Sequence, residues 1–182
     1  MTDDASIADL VSRARRGDRA AFGALIRRFE RTALAVAFAA TGDEHAAGDV
    51  TQEAFLRAWR RLDALKDDAK FAGWLCCIVR NSAADLRRKV RPDRAPAMPD
   101  DDRSVDPVEA LDRQETSDRI AAALGALDEL SRTVVVLRYY EGLSSSAIAD
   151  LLTTSRSAVD MRLSRARAML KRLLIREDGI VR

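Results

Sequence analysis

The chain has 182 residues, of which 47% are hydrophobic and 5% aromatic; that is material for one large or two small packed domains and too apolar for wholesale disorder. Ala, Leu and Arg dominate, which favours helices over sheets, and a formal net charge of +2 does not by itself mark a nucleic-acid binder. A membrane span is excluded, because no apolar run approaches the ~18 residues it requires, and the acidic Met-Thr-Asp-Asp start is not the basic n-region of a signal peptide.

The charge is unevenly spread. Met1 to Arg91 carries a net +4, Pro92 to Glu115 a net −5, and Thr116 to Arg182 a net +3. An acidic middle therefore masks two basic ends. In chain order, a first helix is expected after Ser6, with Ile7, Leu10, Val11 and Ala14 on one face and Gly17 as its stop. Asp18 suits the cap of a second helix through Phe22, Leu25, Ile26, Phe29 and Ala33, broken at Thr41-Gly42. Asp43 suits the cap of a third, through Val50, Ala54, Phe55, Ala58 and Leu62. Asp63 to Lys70 reads as a polar loop, and a fourth helix runs from about Phe71 to Arg91.

Pro92, Pro96, Pro99 and Pro107 are all the prolines of the chain, and they stand among Asp93, Asp100, Asp101, Asp102 and Asp106. Such a stretch buries too little apolar surface to fold, so Pro92 to about Glu109 reads as a flexible tether between two modules. Beyond it, one helix carries Ile120, Leu124 and Leu127. Ser131 is the expected cap of the next, which Gly142 stops. Ser144 suits the cap of a short helix with Ile148, Leu151 and Leu152, Thr153-Thr154 makes a turn, and Ser155 caps a last helix to about Leu174. No period-two strand pattern occurs. The expected fold is all-α, with two small helical domains (residues 1–91 and 116–176) joined by an acidic linker at 92–115.

Short helix, tight turn and longer helix form a helix-turn-helix, whose second helix enters the DNA major groove. On the last helix Leu163, Ala166 and Leu170 lie within about 40° of Val159 and form with it the buried stripe. Ser157, Asp160, Met161, Ser164 and Arg165 fall opposite, flanked by Arg162 and Arg167. Arg165 suits a bidentate contact to guanine and Asp160 a cytosine amine, although an ordinary solvated face explains the same pattern. In the first module Asp49, Gln52, Glu53, Arg57 and Arg60 interleave with Phe55 and Trp59, a polar face with aromatic anchors suited to docking on another protein's helices, or simply a solvated face above a core. The following helix ends in Asn81, Asp85, Arg87, Arg88, Lys89 and Arg91, a basic end that suits a single strand's phosphates. Trp74 is read as core, near enough to the edge to support an unstacked base. Cys76 and Cys77 are adjacent, cannot pair with each other, and read as core packing in a reducing setting. With His45 the only histidine, no zinc spacing exists, and no metal or cofactor is expected.

Taken together these segments resemble the sigma-70 family, in particular its extracytoplasmic-function group. Asp49-Val-Thr-Gln-Glu-Ala-Phe-Leu-Arg-Ala-Trp59 resembles the core-binding part of region 2. Phe71-Ala-Gly-Trp-Leu75, Ile78-Val-Arg-Asn81 and Asp85 resemble the part that opens and reads the −10 element. Ala126-Leu-Asp-Glu-Leu-Ser-Arg132, Leu137-Arg-Tyr-Tyr-Glu-Gly142, Ile148-Ala149 and Arg162-Leu-Ser-Arg-Ala-Arg167 resemble region 4, which reads the −35 element. The resemblance implies a cytoplasmic, non-enzymatic sigma factor. Its partners would be core RNA polymerase (the β′ clamp helices and the β flap), promoter DNA and an anti-sigma factor. It implies polymerase docking by Asp49, Gln52, Glu53, Phe55 and Trp59. Contact to −10 DNA would fall to Trp74, Asn81, Asp85, Arg87, Arg88 and Lys89, and contact to −35 DNA to Ser155, Arg156, Ser157, Asp160, Met161, Arg162 and Arg165.

The chain departs from the family pattern at Gly48, where an acid is frequent, at Ala147, where a Glu would complete a capping box with Ser144, at Thr153 in place of a turn glycine, and at Asp160 in place of a base. Gly48 and Asp160 motivate the alternative of a sigma-like protein that sequesters an anti-sigma factor without supporting transcription. A plain helix-turn-helix repressor leaves the first module unexplained, and no phosphate loop, nucleophile-base pair or metal cluster suggests an enzyme. Thr51 is a conceivable phosphorylation site on the docking face.

Overall fold

The structure is a computed structural model and describes residues 5–89 and 119–178, with side chains to 174. The Met-Thr-Asp-Asp start, Arg91 and the proline-rich stretch expected as a tether lie outside the described residues. Within them the fold is all-α: α1 (Ile7–Arg15), α2 (Arg19–Thr41), α3 (Glu44–Arg60), two 3-10 turns (Leu62–Ala64 and Asp68–Lys70), α4 (Phe71–Lys89), α5 (119–125), α6 (Glu129–Tyr139), α7 (Ser145–Leu151) and α8 (Arg156–Asp178).

Short polar side chains set the helix starts. Ser6, Asp18, Asp43, Ser144 and Ser155 each accept a hydrogen bond from the backbone N–H three residues on, at 2.7–3.2 Å, which satisfies one orphan donor of each first turn. Ser131 does not cap α6 as expected. Asp128 does, accepting from the Ser131 backbone N–H at 3.0 Å, and Ser131 is buried inside the first turn. A carboxylate reaches the first-turn donors as well as a hydroxyl does, and its charge suits the helix N-terminus. The loop expected over Asp63 to Lys70 is not irregular, since two 3-10 turns fill most of it. The last helix runs on to Asp178.

The first module packs α1, α3 and α4 around the long α2. Phe71, Leu25, Leu75, Val11, Val36 and Val79 are fully buried there. Phe22 bridges Trp59, 4.8 Å away between ring centroids, and Phe55 at 6.5 Å, while Phe71 joins Phe29 to Trp74. Cys76 is buried in this core, and burial pushes its thiol up to about 12. Cys77, expected in the core as well, is exposed, because neighbours on a helix point about 100° apart. In the second module Val134, Leu137, Ile148, Val159 and Leu163 close the core.

The two modules pack on each other. Their buried residues form one continuous apolar cluster, with α6 lying against α2 and α7 against α4. The end of α2 explains part of this contact. Its last carbonyls lack intrahelical partners and its last turn carries no basic residue of its own. Arg132 of α6 donates to the Ala39 carbonyl at 3.1 Å and Arg87 of α4 to the Ala40 carbonyl at 3.1 Å. Cations from two other helices thus complement the negative end of α2. At the second contact Gly73 lets α4 approach α7 closely: a Cβ there would lie 3.1 Å from the Leu151 carbonyl oxygen and 3.4 Å from that of Asp150.

Candidate nucleic-acid and polymerase interface

Three surfaces carry the residues singled out above. On α3, Asp49, Gln52 and Arg60 are exposed and Glu53 and Arg57 half-buried. Phe55 is a correction to the expected docking set. It is 6% exposed and packs edge-on against Phe22, because α3 turns that side toward α2 and keeps only the other in solvent. Leu56, which sequence reasoning passed over, is 51% exposed; at three and four residues from Glu53 and Gln52 it shares their face. Trp59 is half-buried on Phe22. Thr51 is buried, so its hydroxyl does not face a docking partner.

An ionic bridge fastens this surface to the next. Arg57 donates to Glu53 at 2.7 Å on its own helix and to Asp85 on α4 at 2.7 Å. Arg88 also pairs with Asp85. The Arg57 guanidinium, with Arg88 beside it, holds the Asp85 carboxyl below the usual carboxylate range, and Arg57 lowers Glu53 likewise. Asp85 and Glu53 are therefore engaged in joining α3 to α4.

The loop before α4 is held by a residue the sequence did not flag. Arg15, at the end of α1, reaches Asp68 at 2.6 Å and the Leu65 carbonyl at 3.0 Å. One guanidinium, with several donors in a fixed fork, thereby shapes the segment 62–70. Lys66, Lys70, Trp74, Gly73 and Cys77 line one side of a cleft of about 1020 Å³, and Leu151, Thr153 and Thr154 of the helix-turn-helix line the other. Trp74 is half-buried against Phe71, and Asn81, Arg87, Arg88 and Lys89 are exposed further along α4. Arg87 is held at 2.7 Å by Glu129 of α6, which also takes Arg80 at 3.5 Å. Burial works against the charge on Glu129, and Arg87 outweighs it, leaving the carboxyl below its ordinary range.

The turn between α7 and α8 is a closed Schellman motif. Thr153 stands in the left-handed region (φ +52°), its N–H reaches the Asp150 carbonyl at 3.3 Å, and the Thr154 N–H reaches that of Ala149 at 2.9 Å. A threonine here carries strain that a glycine would not. Past the turn, Val159, Leu163 and Ala166 are buried, while Ser155, Arg156, Ser157, Asp160, Met161, Ser164 and Arg165 face solvent. Arg156 stands 3.6 Å from Asp160 and Arg162 3.7 Å from Asp128. Arg167 is turned away, bonded to the Tyr139 hydroxyl at 2.7 Å. Among the described residues, no group of three or more His, Cys, Asp or Glu side chains is placed to hold a metal, and no helix is long and apolar enough to cross a membrane.

Comparison with known proteins agrees with this division. Residues 25–92 match the family model of Sigma-70 region 2 and residues 117–170 that of Sigma-70, region 4. The RNA polymerase sigma factor NccH of Alcaligenes xylosoxydans is 37% identical, with 96% of this chain and 97% of that protein covered. RfaY of Xanthomonas campestris is 38% identical over the whole chain, which spans 47% of that protein's length. Among solved structures, CnrH in complex with the cytosolic domain of CnrY is similar with a TM-score of 0.67 and 34% identity, covering 92% of this chain and 96% of that one. Two matched regions in order, set on two helical modules with a helix-turn-helix in the second, place the chain in the sigma-70 family of RNA polymerase sigma factors.

Proposed function

We propose that the protein binds core RNA polymerase and directs promoter-specific initiation. The observation that carries this is the pairing of a region 2 module, exposing a polar α3 face and a basic α4 end, with a helix-turn-helix whose reading face is open to solvent. Asp49, Gln52, Glu53, Leu56 and Trp59 would meet the β′ clamp helices, with Phe55 acting from beneath as core support. Trp74, Asn81, Arg87, Arg88 and Lys89 would hold the −10 strand, with Lys66 and Lys70 beside the same cleft and Asp85 keeping the arginines in place. Ser155, Arg156, Ser157, Asp160, Met161, Arg162 and Arg165 would face the −35 duplex, and region 4 would grip the β flap. The chain would supply recognition and strand capture in the cytoplasm, and the polymerase all nucleotide chemistry.

The −35 and −10 elements are about 25 base pairs apart, roughly 85 Å of duplex at ~3.4 Å per step. With α7 packed on α4, the closed molecule holds the two modules far nearer than that distance, so binding both elements requires the modules to part. An apolar groove of about 530 Å³, lined by Leu34, Phe38, Ile120, Leu124, Tyr139 and Tyr140, suits the amphipathic helix of an anti-sigma factor; the similar CnrH is itself in complex with another protein, the cytosolic domain of CnrY. The alternative of a mere anti-sigma titrator loses part of its motive, since Arg156 stands close enough to offset the charge of Asp160 at the reading face. Transcription in vitro with purified core enzyme and genomic promoters tests the proposal. Specific initiation should rise on adding the protein, and tight anti-sigma binding without any rise would favour the titrator.

A further inference from the structure

Glu129 stands where the two modules exchange charge. It is the first residue of α6, and its carboxylate takes Arg87 at 2.7 Å and Arg80 at 3.5 Å. These arginines are seven residues apart on α4 and so lie on one face. Arg87 belongs to the basic end of α4, where Asn81, Arg88 and Lys89 stand exposed on other sides of the helix, and Arg80 lies two turns before it. Two guanidinium groups converging on a pair of anionic oxygens is the arrangement that also binds a phosphate. The side chain of Glu129 is 28% exposed and those of Arg80 and Arg87 are 37% and 48% exposed, so the cluster is partly shielded and less weakened by salt than a free surface pair. Arg132, one turn along α6, reaches back to the Ala39 carbonyl from the same side.

We propose that Glu129 is an internal phosphate mimic, which occupies Arg80 and Arg87 while the modules are closed and releases them to a nucleic-acid backbone when they part. This rests on the sigma-factor reading for its biological use, but not for its physics. The closed form and strand binding then compete for Arg87, which also holds the Ala40 carbonyl of its own module, and for Arg80. Closure is then a competition that a promoter strand wins only when other contacts, such as polymerase docking, have drawn the modules apart.

The test uses the full chain with Glu129→Gln, compared with Glu30→Gln, which makes the same charge change at an exposed site on α2. Small-angle scattering reads the separation of the modules, and fluorescence anisotropy reads binding of a labelled mixed-sequence single-stranded oligonucleotide. Glu129→Gln should enlarge the radius of gyration and tighten oligonucleotide binding about three- to tenfold, with Glu30→Gln close to wild type in both. An unchanged radius with unchanged affinity, or equal tightening by both variants, would overturn the proposal. Thermal melting of each variant separates opening from loss of fold: if α6 frays or the second module melts, Glu129→Asp, which keeps the charge one carbon shorter, should return the radius toward wild type, and its failure to do so also counts against the mimic. None of these measurements involves polymerase, so a failed transcription assay leaves this result standing, and the reverse.

Discussion

The two modules solve the same packing problem with different means. The first is held by aromatic rings, with Phe22, Phe55 and Trp59 in one group and Phe29, Phe71 and Trp74 in another, and it is stapled across helices by Arg15 and Arg57. The second has an aliphatic core, and its two tyrosines, Tyr139 and Tyr140, stand 59% and 72% exposed. It leans outward for support, through Arg132 on the end of α2 and through the packing of α6 on α2. A module with a large aromatic core can tolerate being left alone. One with a smaller, aliphatic core gains apolar contact from a neighbour.

The largest expected effect breaks this comparison most directly. Phe71→Ala removes a fully buried ring and should cost about 3–5 kcal/mol. Denaturant unfolding followed by a probe in each module should show a loss confined to the first. A matched loss in the second would mean that both melt as one unit. Next in size, Arg165→Ala should weaken binding to selected −35 duplexes by about 1–3 kcal/mol, and a uniform loss over all sequences would instead mark Arg165 as a phosphate contact. Asp128→Ala removes the α6 cap and should cost about 1 kcal/mol, seen as a lower midpoint for the second module. The smallest effect concerns chemistry rather than stability. Cys77 should react with a thiol reagent in the native protein, while Cys76, with its thiol raised to about 12, should react only on unfolding. The sign follows from linkage: the raised value means the folded state prefers the neutral thiol, so this contribution is full below the unfolded value of about 8.5 and is lost as pH climbs toward 12. Two reactive thiols in the native state would place Cys76 at the surface.

Local signals in the sequence led to most of the fold. Helix starts are written in Ser6, Asp18, Asp43, Ser144 and Ser155 because capping involves residues three apart. The α8 stripe was likewise legible from its 3.6-residue period. What could not be read is of two kinds. Asp128 and Ser131 are both good caps, three residues apart, and propensity does not choose between them. The exposure of Leu56 and Cys77 and the burial of Phe55 depend on which side of a helix meets a neighbour, which a single helix does not reveal. The contacts of Arg15, Arg132 and Glu129 join positions 42 to 93 residues apart, and nothing periodic marks them. The candidate DNA-reading residues were therefore easier to find than the side chains that hold them in place.

Gly73 carries a consequence of its own. With backbone oxygens so near the hydrogen where a side chain would begin, a single methyl acts as a wedge between α4 and α7, on volume alone and without touching a charge. Gly73→Ala should shift the solution ensemble toward wider forms in scattering at any salt concentration, whereas an unchanged profile would mean that α7 slides to make room. The closeness of α4 and α7 thus depends on the absence of a single carbon at this position.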